Sequence, residues 1–355
     1  MDFNVLTEKI ARHYRKNLPF AIYSFPETDL LHSIFQNDDS LHVATALNKP
    51  GFVLAPFDYK GVSLFIPANE SGVFQTEFVK DVFNVVPVPT SSGKNEENRY
   101  CKLLSNTIET IKQGEASKIV ISRPKDFQLH NFSVILLLKR LFSAYPTAFR
   151  YIWFHPKTGI WCGATPETLV QVKNDAFKTM ALAGTQAYTG SETVSWRPKE
   201  KDEQQQVTDM ILEKLKMAAT ALQVSDTYTY RAGSLLHLRT DITGKLNQET
   251  TLAAVANALH PTPAVGGNPK IASQEYIIKN EGYPRAYYTG FVGPILENGT
   301  SASLMVNLRC MKIQENIARI FVGGGITRNS DPKEEWEETQ NKMQTMLHVL
   351  KPMLS

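Results

Sequence analysis

Residues 148–165 read AFRYIWFHPKTGIWCGAT, two aromatic and β-branched runs flanking the turn Pro-Lys-Thr-Gly. That is the pattern of an antiparallel hairpin. LVQV (169–172), the turn Asn174-Asp175 and AFKTMALAG (176–184) continue it as a meander. Upstream, SKIVISR (117–123) is strand-like, and alternation puts Lys118, Val120 and Ser122 on one face. Downstream, YTGFVGPIL (288–296) and SASLMVNLRCMKI (301–313) read as two strands joined by the turn ENGT. Helices fall between these stretches. Leu103, Leu104, Ile108 and Ile111 share a face over about 99–114, and Val207, Ile211, Leu215 and Leu222 line a stripe over about 200–222. Shorter helices at about 249–259 and 270–280 flank HPTPAVGGNP, whose prolines and glycines forbid a helix. A last helix follows RIFVGGGIT, with Asp331 as N-cap, Pro332 at its first position and Glu334 as return partner of a capping box. Antiparallel meanders with intervening helices predict an α+β fold, a large antiparallel sheet core with helices packed outside, rather than parallel βαβ units.

Further out, the signal weakens. Residues 1–86 read as an irregular β-rich segment without a motif, and PVPTSSGKNEENRY (87–100) reads as a loop and boundary. The expected organisation is a variable N-terminal part of the same fold over 1–95 and a catalytic region over 96–355. The chain has 355 residues with 38 Lys+Arg against 35 Asp+Glu, a net charge of +3, and 42% hydrophobic residues. That composition excludes a disordered tail, a collagen-like repeat and a disulfide-stapled mini-protein. It also lacks the basic footprint of a nucleic-acid binder. Cys101, Cys162 and Cys310 form no C-x-x-C pair and read as free thiols in a reducing compartment. The opening MDFNVLTEKIARHYRK lacks a signal-peptide core, and the densest apolar run, VILLL (134–138), stops at Lys139. The expectation is a cytoplasmic protein with no membrane partner.

The residues that could carry chemistry are two glutamate pairs, Glu200 with Glu203 and Glu335 with Glu338. Three-residue spacing places each pair on one helix face. Four carboxylates facing one another need a cation, and oxygen-only ligands suit Mg²⁺. The same spacing also describes solvated glutamates near a helix start, so both readings stay open. Lys118, mid-strand in an apolar run, is either an edge-strand lysine or, facing an enclosed site, a general base whose pKa desolvation would lower. Glu167 follows a hairpin strand and a proline, a position from which a carboxyl could act as general acid. GGGIT (323–327) is not a dinucleotide fingerprint but lets a backbone approach an anion closely. Arg309, Lys342 and His237 complete the candidates.

In order and approximate spacing, SKIVISR, GATPETLV, ALAGT, EKDEQQQVTD, HLRTDITG, LHPTPAVGGNP, RAYYTGFVG, VNLRC and GGGITRNSDPKEEWEETQNK resemble the chorismate-utilising enzymes. That family includes isochorismate synthase, anthranilate synthase component I, aminodeoxychorismate synthase and salicylate synthase. The resemblance covers roughly residues 100–350 and implies the α+β fold of anthranilate synthase component I. It implies Mg²⁺ held by Glu203 and Glu338, with Glu200 and Glu335 orienting metal-bound water. It implies chorismate as substrate, its carboxylates held by Arg309, Tyr288, Lys342 and the backbone near Gly325. Gly184, Thr185, His237 and Ala264 are further implied pocket residues.

The same resemblance discriminates among branches. Lys118 matches the family's water-activating base and Glu167 its acid, which points to the isochorismate synthase branch. Anthranilate synthases carry Gln at the Lys118 position. Aminodeoxychorismate synthases place a nucleophilic lysine where this chain has Ala183, and no glutaminase subunit is expected. Salicylate synthases share the Lys and Glu and then eliminate pyruvate; Ala264 leans against them. A non-catalytic anion-binding relative should lack an active-site group, whereas Lys118, Glu167, Glu203, Glu338 and Arg309 are all present. Two positions depart from the family pattern. Gln204 replaces the usual His after Glu203, and Phe321 replaces a common Tyr.

Overall fold

In the computed structural model, which describes residues 1–58, 60–83, 87–89, 93–232 and 235–354, the hairpin Phe149–His155 and Gly159–Thr165 forms as read. Its alternation explains the architecture. Phe149, Tyr151 and Trp153 point to one side and pack on Phe52, Leu54 and Ile66 of a second sheet, while Ile152 and Phe154 point to the other and pack under helices. Both faces are apolar, so the sheet must be covered on both sides.

The described strands build two sheets, paired antiparallel throughout. The first runs, in spatial order, Gly267–Asn268, Lys118–Gln128, Ile317–Ile326, Cys310–Gln314, Gly159–Thr165, Phe149–His155, Phe20–Ser24, Leu30–Gln36 and Ser71–Glu77. The second runs Ala219–Val224, Leu235–Leu246, Ala176–Ala187, Thr168–Lys173, Ser301–Val306, Phe291–Leu296, Gly51–Ala55, Leu64–Pro67 and His42–Val43, with Tyr228–Ala232 as a branch on Leu235–Leu246. Strands from residues 20–77 thus lie in both sheets. Helices α1 (Phe3–Arg15), α3 (Val134–Ala144) and α7 (Pro332–Leu350) pack on the outer face of the first sheet. Helices α4 (Pro198–Leu215) and α5 (Leu252–Leu259) cover the second. Helix α2 (Lys94–Lys112) and α6 (Lys270–Asn280) pack around the start of Lys118–Gln128. No described helix is long and apolar enough to cross a membrane.

Several expectations need correcting. The meander does not stay in one sheet: the chain leaves the first at Thr165 and enters the second at Thr168. SASLMVNLRCMKI is likewise two strands, Ser301–Val306 in the second sheet and Cys310–Gln314 in the first. Arg309 therefore lies outside any strand, at φ +45°, a left-handed conformation that non-glycine residues adopt at a cost. The two crossings are stitched together, since Val306 N donates to the Glu167 carbonyl at 2.9 Å and Thr165 Oγ1 to the Val306 carbonyl at 2.6 Å. Helix α4 stops at Leu215, and Leu222 belongs to the strand Ala219–Val224, where Thr220 and Val224 are β-branched. Helices α1 and α3 stand where no helix was expected. The 87–100 loop is partly outside the described residues, and α2 already begins at Lys94. Asp331 caps α7 by accepting from Lys333 N and Glu334 N, but Glu334 lines the cavity below rather than closing a capping box. The three cysteines are free.

Candidate active site

Every candidate residue of the sequence reading lines one cavity: Lys118, Glu167, Gly184, Thr185, Glu200, Glu203, His237, Ala264, Tyr288, Arg309, Gly325, Glu335, Glu338 and Lys342. The fold explains the gathering. Glu167 and Arg309 sit at the two adjacent crossings between sheets. Helices α4 and α7 present Glu200 with Glu203 and Glu335 with Glu338 from their first two turns. Gly184 and Thr185 occupy a register break against Leu235–Leu246, the strand that carries His237. Gly184 adopts φ +65°, and a Cβ there would come within 3.3 Å of the Glu200 side chain.

Lys118 begins its strand, its side chain facing the glycine run. A Cβ on Gly325 would lie 2.6 Å from Lys118 Cε, and one on Gly324 2.7 Å from Glu335 Oε2. The glycines therefore leave the space that the charged side chains fill. Because Lys118 can swing aside, Gly325→Ala is expected to cost little in melting temperature. It should lower kcat about 10- to 100-fold by displacing the ammonium. Steady-state kinetics beside thermal unfolding of the same variant check both halves, and unchanged kcat would show that the Lys118 position is not critical.

Three of the four glutamates are paired with a cation. Lys118 Nζ donates to Glu203 Oε1 at 2.5 Å, Lys342 Nζ pairs with Glu338 Oε1 at 2.5 Å, and Arg197 pairs with Glu200 at 2.5 Å. Lys342 also donates to the Gly323 carbonyl at 2.9 Å. Burial pushes the Glu338 carboxyl up, but the Lys342 ammonium and the Arg309 charge are among the groups that together hold it below the ordinary range; for Glu200, burial is likewise opposed by the bonds and charge of Arg197. Glu335 has no such cation beside it. Burial, and then the facing Glu338 carboxylate, push it up to about 7. Among the described residues no three carboxylate, imidazole or thiolate groups converge as a closed metal site. The donor set still suits a hard divalent cation: four carboxylates from two helix starts line one cavity, and the raised Glu335 marks negative charge in want of a counter-ion.

Glu167, in the same cavity lining, is buried and accepts from Thr262 Oγ1 at 3.2 Å. Desolvation pushes its carboxyl up to about 7, the Thr262 bond and Lys118 only partly opposing it. His237 Nδ1 faces the Gly184 carbonyl at 2.8 Å, so that nitrogen carries the proton. Burial, then the Arg309 charge, lower its pKa to about 3, and Nε2 is left buried without a partner among the described residues. It is a waiting acceptor. Tyr288 is buried and stacks on Phe321 with ring centroids 5.2 Å apart, and Phe321 in turn stacks on Trp161 at 5.4 Å. Phe321 thus supports the pocket wall by packing.

Some functional positions escaped the sequence reading. Thr262, the hydrogen-bond partner of Glu167, lay inside HPTPAVGG but carried no signal of its own. Arg197 precedes Pro198, the first residue of α4, and lies before the start expected for that helix. Gln204 proves to be an anchor: its Nε2 donates to the Ala181 carbonyl at 3.1 Å and Thr240 Oγ1 at 2.9 Å, tying α4 to two strands beside Glu203.

The family model described as "Chorismate binding enzyme" matches residues 75–351, starting upstream of the first motif. Isochorismate synthase EntC of Escherichia coli K12 is 29% identical over 264 residues, 72% of this chain and 67% of that protein. The crystal structure of Bacillus anthracis DhbC, assigned provisionally as a 2,3-dihydroxybenzoate-specific isochorismate synthase, superposes with TM-score 0.81. It is 26% identical, covering 98% of this chain and 99% of that one. The E. coli menaquinone-specific isochorismate synthase MenF shares the fold at TM-score 0.78 and 21% identity, over 94% of this chain and 88% of that one. With a cavity that unites all the motif residues and a family match over most of its length, the chain belongs to the chorismate-binding enzymes.

Proposed function

We propose that the protein is a magnesium-dependent isochorismate synthase, interconverting chorismate and isochorismate by adding water at ring C2 and expelling the C4 hydroxyl. One observation carries the reading: Lys118, at the start of a strand, and Glu167, a buried carboxyl at a crossing between the sheets that desolvation pushes up to about 7, line the same cavity. Adding water and losing hydroxide needs a base for the first and an acid for the second. Mg²⁺ held by Glu203 and Glu338, with Glu200 and Glu335 behind them, would neutralise the substrate's ring carboxylate. Arg309, Lys342, Tyr288 and the backbone near Gly325 take the remaining anionic and polar groups. Lys118 accepts a proton from the attacking water, and Glu167 donates one to the departing C4 oxygen as water leaves. Substrate and product are isomers, so acid and base exchange roles in reverse.

Product analysis after incubation with chorismate, with and without Mg²⁺, tests this. Isochorismate should form only with the metal, to the same final mixture from either isomer, with no pyruvate. Stoichiometric pyruvate would mark a salicylate synthase instead. Unconsumed chorismate with Mg²⁺ present would overturn the reading.

A further inference from the structure

Arg285 has no part in the chemistry above, yet it is buried and all of its N–H groups are engaged. Nη2 donates to the Val120 carbonyl at 2.7 Å and to Glu281 Oε1 at 2.5 Å. Nη1 donates to the Val265 carbonyl at 2.9 Å and Thr289 Oγ1 at 3.1 Å, and Nε donates to Glu281 Oε2 at 2.8 Å. Glu281 completes the grip by accepting from Ser122 N at 2.7 Å and Ser122 Oγ at 2.8 Å. The pair thus caps the open edge of Lys118–Gln128. Gly267–Asn268 pairs with that edge only at Ile119 and Lys118. Beyond it, Val120 N bonds the Gly266 carbonyl, and Arg285 and Glu281 then stand in for the missing strand. The planar fork makes five bonds at fixed angles to separate chain segments; an ammonium, with three donors on one nitrogen, cannot reproduce them.

The segments are those that carry the chemistry. Val120 is two residues from Lys118 on one strand. Val265 closes the turn that holds Thr262 against Glu167, with Ala264 beside it. Thr289 adjoins Tyr288. We infer that Arg285 is a positioning residue that sets the separation between the lysine and carboxyl walls of the cavity, keeping Lys118 and Glu167 on opposite sides of one bound ring. This rests on the acid–base reading of the site given above.

Arg285→Lys, which keeps a cation opposite Glu281 but loses the fork, tests it. The expected result is a fall in kcat of about 30-fold, with KM for chorismate within about threefold, because a wall displaced by an ångström misplaces acid and base more than it weakens carboxylate binding. Amide hydrogen exchange should quicken at least tenfold in segments 118–122 and 262–266, and beyond them only in the 281–289 stretch that Arg285 itself belongs to, a readout that needs no turnover. Glu281→Gln, nearly isosteric, should move both readouts in the same direction and serves if Arg285→Lys does not fold. A role confined to folding would lower the melting temperature with kcat per folded molecule unchanged, and that result would overturn the inference, as would unchanged exchange in both segments. A wild type inactive on chorismate would overturn the functional reading alone, since exchange still decides the positioning role.

Discussion

Lys118→Ala is expected to lower kcat by about a thousandfold, within the range that removing a positioned acid–base group commands, while the protein still binds chorismate. Lys118 is buried at the first position of a strand whose next residues are apolar, held at its carbonyl by Ser273 Oγ at 3.1 Å and at its Nζ by Glu203. The groups proposed to hold the substrate's carboxylates, Arg309, Lys342 and Tyr288, come from other segments, so KM should change by only a few-fold. Lys118→Arg separates charge from proton transfer. The guanidinium keeps the cation opposite Glu203 but does not release a proton near neutral pH, so this variant should fold, bind and remain as inactive as Lys118→Ala. Steady-state kinetics with both variants, beside equilibrium binding of chorismate, decide the matter. Full activity in Lys118→Ala would remove the base from the mechanism, and activity in Lys118→Arg would reduce its role to charge.

The site was legible in the sequence because its residues sit in short strings whose spacing survives without knowledge of the fold. Helical spacing alone left Glu200 with Glu203 and Glu335 with Glu338 open between a cation site and solvated helix-start glutamates, and the resemblance of the strings taken together is what singled them out. The path of the chain between sheets was much less legible. GATPETLV reads as a strand, a turn at Pro166 and a further strand of the same meander, and VNLRC reads as part of one continuous strand; nothing local marks a change of sheet, and both crossings are held by long-range bonds such as Val306 N to the Glu167 carbonyl. Helix α3 was hidden for a different reason. VILLL has no polar partner to set a period, and its helix is evident only from the Ser133 cap and the core it fills. Helix α1 keeps Leu6 and Ile10 one turn apart, but charged neighbours diluted that signal. Thr262 and Arg285 belong to a third class. They act across long stretches of sequence, which no local pattern encodes.

Glu167→Gln should move activity and stability in opposite directions. Gln keeps the shape and can hydrogen-bond Thr262, but it has no proton to give, so kcat should fall by about a thousandfold. In the wild type, kcat/KM should decline as pH rises past about 7, where Glu167 loses its proton; this limb should vanish from the residual rate of the variant. Stability follows from the same shift. The folded carboxyl titrates near 7 against an ordinary value of 4.5, so between those values the folded state holds a proton that the unfolded chain has released. The favourable contribution is therefore complete below about pH 4.5 and is lost as pH climbs through 7. By linkage it amounts to about 3 kcal/mol for a group as buried as this one. The amide of the Glu167→Gln variant does not titrate and carries no such penalty. Unfolding free energies measured from pH 5 to 8 should thus show the variant gaining on the wild type as pH rises. The comparison also cancels Glu335, whose raised value weakens both proteins alike. Parallel pH profiles would mean that Glu167 is not held in its acid form by the fold. If the curves diverge, the wild type accepts lower stability above neutrality so that a dry carboxyl still has a proton for the leaving oxygen.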